Sequence, residues 1–389
     1  MKYTRSSKCY FSKWITENKV IVLREFIAEM HRVVEWAIAH HESDILNGMK
    51  KPQLLLADKL DKCESWLTAR AKKNAFAESY ALVLGTKRSA DALNKPYSTP
   101  KHDASRIMLS CTNAEIQQHP DLELYDLLVE IRCFDSRKRA VEVAIPLKKN
   151  KMFNKWKSKG KLCSSVILTD KYIQFSFEME QGKSTEGNII GIDPGAVHVI
   201  NDDEGNHYGS GMMDLLNKLK RKKRNSNAWN ACREEILEYI DHSIKQIPME
   251  TLQLLVLEDN RRIKNKSKLR GRLSKNMRSV LTGWAIGRIN SRIQMLTEEH
   301  GVSLRRVPAY GNSITCPDCN HSEKANRATQ EEFVCVKCGS SRNADTVGAT
   351  NSLARFTLGT YGSEYKQMFL MKHPYYHSND SRVISSNFI

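Results

Sequence analysis

Three acidic residues sit where a chain can hold a carboxylate rigidly. Asp193 closes the apolar run Asn188-Ile189-Ile190-Gly191-Ile192 and is followed by Pro194-Gly195. Glu258 closes the apolar run over residues 252–257, and Asp345 stands in Arg342-Asn343-Ala344-Asp345, just ahead of a small-residue run that predicts a helix. A carboxylate at the end of a buried strand is fixed by the sheet and faces the adjoining loops. Taken singly, such an acid is most often a turn former or a cap. Taken together, three of them form a minimal cage for two Mg²⁺ ions about 4 Å apart, which activate a water and stabilise the oxygens of a phosphodiester undergoing hydrolysis. Mutual repulsion makes such a cage costly without its metal.

A second constellation is sulfur-based. Cys316-Pro-Asp-Cys319 and Cys335-Val-Lys-Cys338 are two tight pairs separated by fifteen residues. Each pair reaches one side of a single ion, so Cys316, Cys319, Cys335 and Cys338 predict a tetrahedral Zn²⁺ site. With four protein ligands no position is left for a reactive water, and the role is structural. His321 adjoins the second cysteine but is not needed as a ligand. Cys9, Cys63, Cys111, Cys133, Cys163 and Cys232 read as small core residues or inert thiols.

Polyanion binding is written in the charge. Lys and Arg total 61 against 44 Asp and Glu, a formal net charge of +17. Residues 218–224 hold six Lys or Arg in seven, and residues 261–278 hold nine in eighteen with no acid. Blocks this dense repel themselves unless an RNA or DNA backbone neutralises them. Arg270, Arg272 and Lys275 are the expected phosphate contacts, since their segment leaves Glu258 directly. Residues 147–161 carry seven lysines around Phe153 and Trp156. That pattern reads either as a solvated loop or as a surface where bases stack.

These groups need elements to position them. Residues 1–15 alternate weakly, as one strand. Val20, Leu23, Ile27, Met30, Val34 and Ile38 recur at three- and four-residue steps and predict a helix over 17–41; further helical stretches follow Pro52 and span 71–84. Residues 125–134, 140–145, 164–168 and 172–177 are short and rich in Val, Ile and aromatics, which predicts strands. From Gly187 a hairpin entry into a mixed α/β sheet is expected. The chain of 389 residues, 40% hydrophobic, has room for two or three domains. No 18-residue apolar stretch occurs and the basic N-terminus lacks the apolar core of a secretory signal, so no membrane partner is expected. The paired cysteines point to a reducing compartment.

Gly191-Ile192-Asp193-Pro194-Gly195 resembles the first RuvC motif of the TnpB family of RNA-guided nucleases, related to type V CRISPR effectors and Fanzor. Leu257-Glu258-Asp259 resembles the second motif and Arg342-Asn343-Ala344-Asp345 the third. Residues 284–289, Gly301-Val302, residues 307–310 and Ser313 lead into the first cysteine pair much as in that family. The order acid, acid, ribbon, acid is specific, and the likeness is firm over about residues 187–353.

The resemblance implies an α/β RuvC-like (RNase H-like) nuclease domain with an inserted zinc ribbon, plus an N-terminal wedge β-barrel interrupted by a helical domain. The implied boundaries place the first barrel strand at 1–16, a helical recognition domain at 17–103 and the rest of the barrel at 104–186. The nuclease domain occupies 187–311 and 342–356 around a target-binding ribbon at 312–341, with a tail at 357–389. It further implies catalysis by Asp193, Glu258 and Asp345 with two Mg²⁺, for which Mn²⁺ substitutes, and one structural Zn²⁺. The implied partners are a guide RNA and target double-stranded DNA beside a short motif, with a monomer or dimer on one guide, in a prokaryotic cytoplasm at the nucleoid. Base pairing then carries most of the sequence specificity.

One departure stands out. The family's Asp-x-Asn-Ala-Ala-x-Asn reads Asp345-Thr346-Val347-Gly348-Ala349-Thr350-Asn351 here. Val347 is expected to remove polar support near the third acid. Rival readings are an RNA-guided DNA-binding repressor that does not cut, a DNA-joining transposase, and a zinc-ribbon RNA-binding protein. The three intact acids argue against the first, and no nucleophilic Tyr supports the second.

Overall fold

The computed structural model describes residues 1–13, 15–92, 95–119, 123–259, 285–309, 311–329 and 331–358. Arg270, Arg272 and Lys275 lie outside the described residues. Two compact units are present, Lys2–Glu180 and a second that begins at Gln181. Among the described residues no helix is long and apolar enough to cross a membrane.

The first unit pairs an antiparallel four-stranded sheet with a helical insertion. Strand β1 (Lys2–Tyr10) is followed by helices α1 (Glu17–Leu46), α2 (Lys51–Leu54), α3 (Ala57–Asp61) and α4 (Ala69–Ala92). Strands β2 (Arg106–Leu109), β3 (Ala114–Gln118), β4 (Leu127–Phe134) and β5 (Ala140–Leu147) precede helix α5 (Lys151–Lys159) and strands β6 (Lys161–Thr169) and β7 (Tyr172–Glu180). The sheets run β1-β7-β6-β2 and β3-β4-β5. β1 pairs along its whole length with β7, from Lys2 opposite Glu180 to Tyr10 opposite Tyr172. The helical spacing read in α1 is its buried stripe, with Leu23, Ile27, Met30, Val34 and Ile38 all inside.

The lysine run at 147–161 is neither of the surfaces its sequence allows. Asn150 caps α5 by accepting from the Phe153 amide at 2.8 Å. Phe153 and Trp156, three residues apart, are buried on one face, and Phe153 meets Phe175 and Phe177 edge-on at 5.2 and 5.1 Å. Its aromatics therefore fill the core, and its lysines lie on the solvent side.

The second unit carries a mixed five-stranded sheet. Its elements are β8 (Asn188–Asp193), β9 (Ile200–Asp202), β10 (His207–Tyr208), α6 (Met212–Lys220), α7 (Asn227–Ile244), β11 (Leu252–Glu258), α8 (Ile286–His300) and β12 (Ser303–Val307). They continue into β13 (Glu332–Val334), β14 (Ser341–Asn343) and α9 (Ala344–Thr357). The sheet order is β10-β9-β8-β11-β12, with β8, β11 and β12 parallel and β9 antiparallel to β8. Ile190, Ile192, Leu255 and Leu257 join one apolar core with residues of α6, α7 and α8, including Leu216, Ile236, Ile240, Ile289 and Ile293.

Candidate active site

Strand alternation aims the first two acids. β8 and β11 are in register with Ile192 opposite Leu257, and the next residue on each strand is an acid. Since Ile192 and Leu257 are turned into the helical core, Asp193 and Glu258 turn to the opposite face, side by side at the ends of neighbouring strands. That face receives α9. A β-carbon on Gly191 would stand 2.3 Å from the Ala349 carbonyl oxygen, so glycine is what lets α9 lie directly on β8.

Asp345 comes with the first turn of α9. Asn343 caps the helix, its side chain accepting from the amides of Asp345 and Thr346 at 2.9 and 3.2 Å. The structure thus brings Asp193, Glu258 and Asp345 together from three separate stretches of chain. The carboxyl groups of Asp193 and Glu258 lie within hydrogen-bonding reach of each other. Burial, then the charges of Glu258 and Asp345, push the Asp193 carboxyl well above the usual range, against the pull of Arg327. Burial also raises Asp345, with Arg327 opposing. Without a cation, protons must make up the deficit of positive charge.

The sequence reading missed three further groups. Arg327 reaches from the cysteine-rich segment to Asp345, its guanidinium 3.5 Å from Oδ1. Nothing distinguishes it in sequence from the many other arginines. Asn201 lies opposite Asp193 on β9 and is fully buried. Its amide nitrogen is 3.4 Å from Asp345 Oδ2, and its oxygen meets His207 Nδ1 at 2.6 Å. His207 stacks on His198 at 4.5 Å. Asn312 is buried beside Glu258, 3.4 Å from Oε2. A polar residue on the acid-facing side of β9 was the available signal for Asn201.

The four thiols gather as their spacing demands. The donor atoms of Cys316, Cys319, Cys335 and Cys338 all lie within 4.8 Å of one another. The Cys316–Cys338 and Cys319–Cys335 sulfur pairs are 3.6 and 3.5 Å apart. A tetrahedron with arms of about 2.3 Å has edges of about 3.8 Å, so the cluster is compatible with a structural zinc. Burial pushes the Cys316 thiol up to about 12. Cys335 falls to about 6, because the amides of Cys338 and Lys337 and the neighbouring thiols outweigh its burial. His321 turns to Glu323 instead, at 3.1 Å. Val347 is fully buried with Cys316, Cys335, Phe333 and Ala344, so it is a packing residue between α9 and the cysteine cluster. The expectation that it weakens polar support for Asp345 does not describe its surroundings.

The mixed sheet and the elements around it make up a fold that occurs in other solved proteins. The chain shares it with Cas12f1, solved as a complex with sgRNA and target DNA, at 15% identity over 87% of this chain and 83% of that one, TM-score 0.50. It also shares it with the mini-RNA-guided endonuclease CRISPR-Cas_phi3, at 10% identity over 91% and 92%, TM-score 0.51. CasPhi-2 bound to crRNA and phosphorothioate-DNA matches at 11% identity over 92% of each chain, TM-score 0.50. Residues 287–352, from α8 through the cysteine module into α9, match the Cas12f1-like TNB domain family. No curated protein matches the chain by sequence.

Proposed function

We propose that this chain is an RNA-guided DNA endonuclease of the TnpB and type V kind, with a RuvC-like centre at Asp193, Glu258 and Asp345. The observation that carries the proposal is the convergence of these acids, with Arg327, on one face of the sheet. The fold shared with a guide-RNA complex and an RNA-guided endonuclease, together with the net charge of +17, supports RNA and DNA as the partners.

The donor set suits hard divalent ions. Asp193 lies close enough to Glu258 and Asp345 for their charges to raise its affinity for protons, which is the condition that also favours Mg²⁺ or Mn²⁺. The Asn312 amide oxygen adds a buried acceptor with no partner among the described residues. When bound, such ions supply an activated water and charge stabilisation at the phosphate. The chain's own groups do the rest. The sheet fixes Asp193 and Glu258, the α9 cap fixes Asp345, and Asn201 restrains its second oxygen. The Arg327 guanidinium can exchange its carboxylate for a phosphate oxygen when the substrate enters.

Zinc at Cys316, Cys319, Cys335 and Cys338 would hold the ribbon that carries Arg327. Arg270, Arg272 and Lys275 are proposed to contact phosphates without reading bases. Replacing all three with Ala should then flatten the salt dependence of binding by about two to three units for every guide.

The deciding experiment sequences the RNA that co-purifies with the chain and supplies it with matching plasmid DNA and Mg²⁺. Cutting that follows the guide and is lost in Asp193→Ala, with guided binding retained, is the expected result. Guided binding without cutting by the wild type would place the chain among RNA-guided repressors.

A further inference from the structure

Asn312 does more than close a turn. It opens the 3₁₀ turn Asn312–Ile314 at the entry to the ribbon and is 2% exposed. Its Nδ2 donates to the Gly348 carbonyl at 2.7 Å and to Ser352 Oγ at 2.9 Å, and lies 3.4 Å from Glu258 Oε2. The Gly348 carbonyl can only accept, so the amide cannot be turned the other way round. Its Oδ1 is buried and has no hydrogen-bond partner among the described residues.

Two features make this arrangement poised. An amide nitrogen has two hydrogens, and here three acceptors surround it. Ser352 is a hydroxyl that can give up its role as acceptor, so the second hydrogen is available to Glu258. An unpaired buried carbonyl is rare enough to need a reason. A hydrated divalent ion arriving at the carboxylates brings water hydrogens that require acceptors. The backbone of Asn312 is itself fixed, since Asn351 Nδ2 donates to the carbonyls of Asn312 and Thr315, both at 2.7 Å.

We propose that Asn312 is a positioning residue of the acidic centre, holding Glu258 through Nδ2 and accepting from ion-bound water through Oδ1. It thereby ties the geometry of the divalent site to the foot of the ribbon. The inference rests on the nuclease reading and deepens it. Asn312 touches Glu258 rather than the phosphate to be cut. It sets how tightly the carboxylates hold their ions.

The test uses the full chain freed of nucleic acid, titrated with Mn²⁺ and followed by electron paramagnetic resonance. The relevant site is the one lost in Asp193→Asn. Asn312→Ala should weaken Mn²⁺ at that site about tenfold and raise the Mn²⁺ needed for half-maximal cutting by the same factor, with a near-normal rate at saturation. Zinc should remain at one per chain. Should Asn312→Ala fail to fold, Asn312→Ser keeps a short donor for the ribbon foot but does not span to Glu258, and the same metal effect is expected. Unchanged Mn²⁺ affinity, or a rate lowered equally at every Mn²⁺ concentration, overturns the inference and leaves the nuclease reading intact. A wild type whose Mn²⁺ binding ignores Asp193→Asn removes both.

Discussion

Gly348 and Asp193 are pressed together: a β-carbon on Gly348 would stand 2.5 Å from Asp193 Oδ2 and 3.1 Å from its carboxyl carbon. Helix α9 thus meets the end of β8 with no side chain between them at this point. Alanine favours a helix over glycine by about 0.5–1 kcal/mol, so Gly348→Ala should hold or raise the melting temperature. The carboxylate would have to move to make room, and a misplacement of about 1 Å should slow cutting by about tenfold or more. Thermal melts with single-turnover cleavage separate the two effects. An unaltered rate would mean that Asp193 does not need its present position.

Arg327 offers a sharper separation of binding from chemistry. Its guanidinium faces Asp345 at 3.5 Å and lowers the proton affinity of both Asp345 and Asp193. Arg327→Ala should reduce the cleavage rate by about a hundredfold, the scale of losing one group that stabilises developing charge. Guided DNA affinity should change little. Arg327→Lys should recover only part, because an ammonium lacks the planar fork that pairs with two oxygens. A rate within about twofold of wild type in Arg327→Ala would make this arginine a surface counterion only.

What the sequence made legible follows from how local each signal is. Apolar runs ending in Asp193 and Glu258 announce buried strands, because burial on both faces leaves few polar positions. That the two strands are neighbours, and in register to one residue, depends on pairing across more than sixty positions. The cysteine pairs were legible because spacing within each pair is itself the ligand geometry. Arg327, Asn201 and Asn312 were not, since each matters only through a partner remote in sequence. The lysine run at 147–161 misled for a related reason. Charge spacing hides a helix whose inward face needs only Phe153 and Trp156.

The acid cluster also fixes a pH dependence. Burial raises the carboxyls of both Asp193 and Asp345 above their ordinary range near 4, and the charges of Glu258 and Asp345 raise Asp193 further. A carboxyl raised on folding contributes stability while both states are protonated. It loses that contribution as pH climbs through the raised value. On the proposed metal site a divalent cation would replace the missing protons, so Mg²⁺ should raise the melting temperature more at about pH 8 than at about pH 5.5, where protons compete. Scanning calorimetry at both pH values, with and without Mg²⁺, measures this. Asp193→Asn should remove most of the difference. A Mg²⁺ shift equal at both pH values and in that variant would place the ion elsewhere.

Loss of a zinc held by the four cysteines should reach the acidic centre through packing. Val347 and Ala344 of α9 share one buried cluster with Cys316, Cys335 and Phe333, and Ala344 also donates its amide to the Glu331 carbonyl at 2.8 Å. A segment with so small a core depends on its metal for folding. Elemental analysis should find one zinc per chain, and Cys335→Ser should lose it. The ribbon would then loosen on both sides of the acids, releasing Arg327 from Asp345 and Asn312 from Glu258 while uncapping the start of α9. Cutting should fall by at least about tenfold, while the first unit, with its own core, keeps its melting transition. Full activity in a zinc-free Cys335→Ser chain would mean that the carboxylates are held by the sheet and α9 alone.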